Sequence, residues 1–163
     1  MIEPSSQRYC LDTSCLINGW RKHYCRSVFP TLWDKIDELI DASTIFSCDE
    51  VYRELEKQDD DLLEWAKQRR KELFEKPTEL TIAEVATIMR SHPTFAAAGG
   101  STNAADPWLI AHAKIANAVV VTDEHYADNQ RPTKSPKIPN VCEELGMKWM
   151  KPVDFFEAVG IKL

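Results

Sequence analysis

The sequence lacks any run near the ~18 uninterrupted apolar residues of a membrane-spanning helix. Its opening, Met1-Ile2-Glu3-Pro4-Ser5-Ser6, lacks the basic flank and apolar stretch of a secretory signal. Together these absences predict a cytoplasmic protein with no membrane partner. The five cysteines, at 10, 15, 25, 48 and 142, include no Cys-x-x-Cys pair. Cys10 and Cys48 lie in apolar, strand-like runs and read as small core residues. Cys15, His23 and Cys25 are poorly spaced for a zinc site. Basic residues are in the minority: 20 Lys and Arg against 26 Asp and Glu give a net charge of −6. That balance argues against adhesion to nucleic acid through a broad basic surface. It leaves room for a nuclease, because bound metal can screen a carboxylate cluster from phosphate. Nucleotide-fold signatures are missing as well. Gly99-Gly100 is no Gly-x-Gly-x-x-Gly and follows no strand, and there is no P-loop. A serine or cysteine hydrolase would need a nucleophile elbow, which is absent.

What is present is one domain's worth of chain. The 163 residues, 44% of them apolar and five of them tryptophan, are enough to bury roughly 70% of the unfolded surface. No internal repeat or second unit is visible, so residues 1–163 read as a single domain. Tyr9–Leu11, Thr44–Cys48, Ala118–Thr122 and Lys148–Met150 read as strands. Helices are expected over Thr13–Trp20, over Thr31–Asp41, after Asp49 as N-cap, and from Asp59-Asp60-Asp61 to about Phe74. Further helices are expected over Thr81–Met89, up to about Asn117, and over Pro152–Val159 with proline in the first turn. Ala96–Asn103 reads as a flexible break, and Arg131–Asn140, with three prolines, as an extended loop. Strands alternating with helices imply an α/β fold: a three-layer α/β/α sandwich around a mostly parallel sheet.

The chemistry points to carboxylates. Asp12 and the Asp123-Glu124 pair each follow an apolar strand, at the carboxyl edge where a parallel sheet places its active site. Glu54 and Asp106 are expected in the first turns of helices that start at that edge. Taken singly, each acid has an ordinary structural role open to it, as strand-end cap, solvated helix residue or turn. Together they form an oxygen-only donor set, which suits Mg²⁺ or Mn²⁺ and not zinc. An aspartate-dependent phosphatase is excluded, because Ser14 stands where its second aspartate would be. The basic run Lys67–Lys71 reads as a solvated helix face, and the four histidines as surface or packing residues.

Four segments, in this order and spacing, resemble the PIN-domain family of metal-dependent ribonucleases. They are Leu11-Asp12-Thr13-Ser14, Val51-Tyr52-Arg53-Glu54-Leu55, Asn103–Ala113 around Asp106-Pro107, and Val119–Glu124. The resemblance spans about residues 8–150 and is strongest to a PIN-like branch related to VapC-type toxins, which shares Lys137-Ile138-Pro139-Asn140-Val141-Cys142. It implies a PIN-like fold and hydrolysis of RNA phosphodiester bonds with Mg²⁺ or Mn²⁺. It also implies the toxin role of a toxin–antitoxin pair, with an antitoxin partner and a homodimer. Asp12, Glu54 and Asp106 match three acidic metal-site positions. The fourth falls on Glu124 by the pattern threonine, any residue, acid, with Asp123 its neighbour and Asp the commoner residue there. Thr13, Ser14 and Thr122 match hydroxyl positions that orient ligands or water, while Lys134 and Lys137 are placed to meet RNA phosphate. Two other readings stay open: a PIN-fold binding or regulatory protein with weak or no catalysis, and a structure-specific DNA nuclease.

Overall fold

The structure is a computed structural model, and it describes residues 7–95, 104–128 and 136–163. Its centre is a five-stranded, all-parallel sheet in the order β3-β2-β1-β4-β5. The strands are β1 (Tyr9–Leu11), β2 (Ile45–Cys48), β3 (Phe74–Glu75), β4 (Val119–Val121) and β5 (Trp149–Met150). Among the described residues the helices are α1 (Thr13–Asn18), α2 (Pro30–Asp41), α3 (Asp49–Leu55), α4 (Asp61–Gln68), α5 (Arg70–Leu73), α6 (Glu79–Ser91), α7 (Asp106–Ile115), α8 (Ile138–Glu144) and α9 (Pro152–Ala158). A π-helical turn, Gly19–His23, continues α1. The arrangement is the expected α/β/α sandwich, with every pairing parallel.

Alternation along β1 assigns the layers. The Cys10 thiol points to the Leu109 carbonyl of α7, so that side chain faces the α7 layer. Tyr9 points the other way and stacks on Phe155 of α9 at 5.1 Å. Leu11 lies on that second face with Leu16, Trp33 and Phe156. Both faces are covered, which is why the strands are short apolar runs without polar alternation. Cys10 and Cys48 are buried as expected, Cys142 is buried as well, and all five cysteines are free.

Three helices deliver the chain into strands through one device. Each of α2, α7 and α8 ends with a left-handed residue: Ser43 (φ 57), Asn117 (φ 51) and Gly146 (φ 67). The next residue then donates back into the helix: Thr44 N–H to Leu39 O at 2.9 Å, Ala118 to Ala113 at 2.8 Å, Met147 to Cys142 at 2.8 Å. This is the Schellman pattern, in which asparagine and glycine are favoured at the left-handed position. β2, β4 and β5 follow at once, so their carboxyl ends fall on a common edge.

Several boundaries differ from the sequence expectation. Asp49 is the first residue of α3 and not its cap; Cys48 caps that helix without a side-chain bond. Phe74-Glu75 is strand β3 and not a helix end, because α5 closes at Leu73 and Glu75 pairs beside Cys48. Ile138–Asn140, expected in a loop, opens α8: Pro139 stands at a first-turn position, where a missing N–H costs nothing. The expected break at Ala96–Asn103 lies outside the described residues.

Candidate active site

Strand order fixes where a site belongs. The chain runs outward from β1 to β2 and β3, then returns to place β4 on the other flank of β1. The crevice between β1 and β4 at their carboxyl ends is therefore the topological switch point, the usual ligand site of an open parallel sheet. Asp12 is the first residue past β1, and its N–H donates to the Val121 carbonyl of β4 at 2.9 Å. Its carboxylate is 3% exposed and opens into a cleft of ≈ 380 Å³.

Four of the expected acids line this cleft: Asp12, Glu54, Asp106 and Glu124. Three of them are aimed by neighbours. Oδ2 of Asp12 accepts from the Ser14 hydroxyl at 2.6 Å and from the Thr122 hydroxyl at 2.9 Å. Glu54 is held through both oxygens, by Thr13 Oγ1 at 2.6 Å and by the Ala105 N–H at 3.1 Å. Thr13, Ser14 and Thr122, the hydroxyls singled out in the sequence, each bond one of these carboxylates. Glu124 is fixed at two points. Its N–H donates to Thr122 Oγ1 at 3.1 Å, and its Oε2 accepts from the Ile138 N–H at 2.8 Å.

Two placements differ from expectation. Glu54 sits in the last turn of α3 and not the first. It reaches the cleft because α3 follows β2 with no loop and packs beside α1, where Thr13 meets it. Asp123, the alternative fourth acid, turns away from the cleft. Its Oδ2 accepts from Asn18 Nδ2 at 2.6 Å, its N–H donates to Ser14 Oγ at 3.0 Å, and its carbonyl takes the Lys151 ammonium at 2.7 Å. Three bonds commit Asp123 elsewhere, and Glu124 takes the inward place. Lys137 is exposed at the cap of α8 and draws the Asp106 and Glu124 carboxyls toward ionisation. Lys134 lies outside the described residues. The basic run is occupied by ion pairs: Lys67 with Glu64, Arg69 with Asp41, Arg70 with Asp49. Reading the sequence missed Asn18 and Arg21, which also line the cleft. Only their position about one and two turns beyond Ser14 could have marked them.

Electrostatics sets the cleft apart. Burial pushes the Asp106 carboxyl up to about 9, and the charges of Asp12, Glu124 and Glu54 add to the shift. Burial likewise raises Asp12, Glu54 and Glu124 above the usual carboxylate range, against the hydrogen bonds that each accepts. One oxygen of Asp106, Oδ2, is buried with no hydrogen-bond partner. A buried polar atom without a partner costs about 1–3 kcal/mol, and a cation beside it would remove that cost. The donor chemistry, all carboxylate oxygen, fits a hard divalent ion. The side chains do not form a finished cage: among the described residues, no three His, Cys, Asp or Glu are grouped so as to hold a metal.

No curated protein matches the chain. A family model described as Domain of unknown function (DUF4411) matches residues 9–163, which include every acid of the cleft. The chain belongs to that family.

Proposed function

We propose that this protein is a metal-dependent endoribonuclease that hydrolyses RNA phosphodiester bonds in the acidic cleft. The observation that carries the reading is the convergence of Asp12, Glu54, Asp106 and Glu124 on one buried crevice, with Asp106 Oδ2 left unpartnered. Asp12 and Asp106 are the ligands proposed for Mg²⁺ or Mn²⁺, with Glu54 and Glu124 completing the set. A bound divalent ion would supply Lewis acidity toward the phosphate and a lowered pKa for its water. The chain's own residues prepare for it. Ser14 and Thr122 hold one oxygen of Asp12. Thr13 and Ala105 stop Glu54 from swinging out. The Ile138 N–H, at the start of α8, fixes Glu124. The toxin role, the antitoxin partner and the homodimer implied by the PIN resemblance belong to the same proposal.

A second reading, a PIN-fold binding protein without catalysis, draws on the absence of a ready-made metal cage among the described residues. One experiment separates the readings. Purified protein is incubated with single-stranded and hairpin RNA and with matching DNA, in Mn²⁺ or in EDTA. Cleavage of RNA that EDTA abolishes and Asp106→Asn strongly reduces supports the ribonuclease. Cleavage untouched by both changes, or none at all, removes it, and preferential DNA cleavage moves the assignment to a DNA nuclease.

A further inference from the structure

A second pocket, of ≈ 350 Å³, adjoins the acidic cleft across the side chains of Ser14 and Asn18, which line both. Its volume lies within the ~300–1,000 Å³ of small-molecule sites. The two spaces differ in chemistry. The acidic cleft is walled by carboxylates, whereas the second pocket has an apolar wall of Tyr24, Pro152, Val153 and Phe156. Tyr24 and Phe156 brace each other edge to face at 5.3 Å, which makes that wall stiff. His23, His125, Lys151 and Asp123 complete its lining. Asp123 is held there by Asn18 at 2.6 Å and by the Lys151 ammonium on its carbonyl at 2.7 Å. The residue that the acidic cleft rejects is thus built firmly into the floor of its neighbour.

We propose that this pocket is the subsite for one unpaired nucleoside, the one adjoining the phosphodiester held in the acidic cleft. The substrate would then be single-stranded RNA; that last step rests on the ribonuclease reading. The rings of Tyr24 and Phe156 offer apolar surface on which any base can stack, and such stacking is worth about 1–3 kcal/mol per base. The Asp123 carboxylate accepts from an exocyclic amino group, the pairing that carboxylates make with base edges. The two histidines and Lys151 offer donors to base, ribose and phosphate oxygens. A duplex cannot deliver a base into such a pocket without unpairing it, at a cost of a few kcal/mol. The paired pockets therefore select unpaired strands by shape.

The test uses the full chain in EDTA, so that cleavage plays no part. The four nucleoside 5′-monophosphates are titrated and amide chemical shifts are followed. Saturable binding is expected in the millimolar range or tighter, with the shifts centred on His23, His125 and Phe156. Val153 is 62% exposed, so Val153→Trp fills the pocket mouth without touching the core. Val153→Trp and His125→Ala should each weaken binding at least fivefold, while Ile82→Ser on the exposed face of α6 changes it less than twofold. Thermal melting checks that each variant is folded. Absence of saturable binding, or unchanged affinity in the folded Val153→Trp and His125→Ala variants, overturns the subsite. Nucleotide binding that persists in a protein with no RNase activity would remove the ribonuclease reading and leave the subsite standing.

Discussion

Two sets of carboxylates in this molecule meet opposite fates. On the flank around α2, α3 and α5, acids are matched to arginine: Asp41 and Asp37 to Arg69, and Asp49 to Arg70. At the switch point of the sheet, the acids are held by hydroxyls and backbone amides: Ser14 and Thr122 on Asp12, Thr13 and Ala105 on Glu54, Ile138 on Glu124. Neutral donors orient a carboxylate without cancelling its charge. The flank pairs its acids with arginine, and the cleft holds its acids through neutral donors, the arrangement proposed for a cation site.

The comparison can be broken most severely by activity. Asp106→Asn should reduce RNA cleavage by about 100-fold or more if Asp106 is the proposed ligand of an ion that acts on the phosphate. Arg69→Ala on the flank should leave the cleavage rate within about twofold once folding is controlled by thermal melting. If Arg69→Ala were the more damaging change per folded molecule, the division between the two sets would be wrong.

A next effect separates Glu124 from Asp123. Glu124→Gln should weaken the stabilisation by Mn²⁺, measured as a melting shift, by several fold in apparent affinity. Asp123→Asn should leave that shift nearly unchanged, because its carboxylate bonds Asn18 and faces the neighbouring pocket. The opposite ranking would exchange the two assignments.

Stability gives a third contrast, with opposite signs in the two regions. Arg69→Ala should destabilise by about 1 kcal/mol in urea unfolding, because Asp37 and Asp41 lose a partly buried partner. Asp106→Asn should stabilise the metal-free protein at pH 7 by about 1–2 kcal/mol, roughly 2–8 °C. The sign follows from linkage. Asp106 ordinarily ionises near 3.8 but is pushed up to about 9 in the fold. Between those values the folded state holds a proton that the unfolded state has lost, so stability falls as pH rises. The advantage of Asp106→Asn should therefore grow from pH 4 toward pH 9 and vanish below about pH 4. A constant difference across that range would show that Asp106 is not held in its raised state.

Most of the frame was legible in the sequence, and for identifiable reasons. β1, β2 and β4 are apolar runs ending in polar residues, a pattern that both-face burial in a parallel sheet enforces. That pattern also made the carboxyl edge readable, and with it Asp12, Asp106 and the Asp123-Glu124 pair. β3 was not readable, because two residues, Phe74 and Glu75, have no periodicity to detect. α8 was hidden by its prolines, which mark a loop until first-turn tolerance is considered. The Thr-x-acid spacing favoured Glu124 over Asp123, but the contacts that hold the two acids, from Asn18 and Ile138, come from 105 and 14 residues away. Glu54 was expected in the first turn of its helix, but α3 is only seven residues long, Asp49–Leu55, and Glu54 falls in its last turn. The hydroxyl tuning of Asp12 was visible as a motif, but only the fold brings Thr122 back to it.

The central claim is that the cleft carboxylates form a divalent-cation site, and thermal melting with Mn²⁺ tests it most directly. At a concentration about tenfold above Kd, Mn²⁺ should stabilise the wild type by about 1.4 kcal/mol, roughly 3–6 °C. Asp12→Asn should lose most of that shift while melting cooperatively in metal-free buffer. Equal shifts in the two proteins would contradict the account.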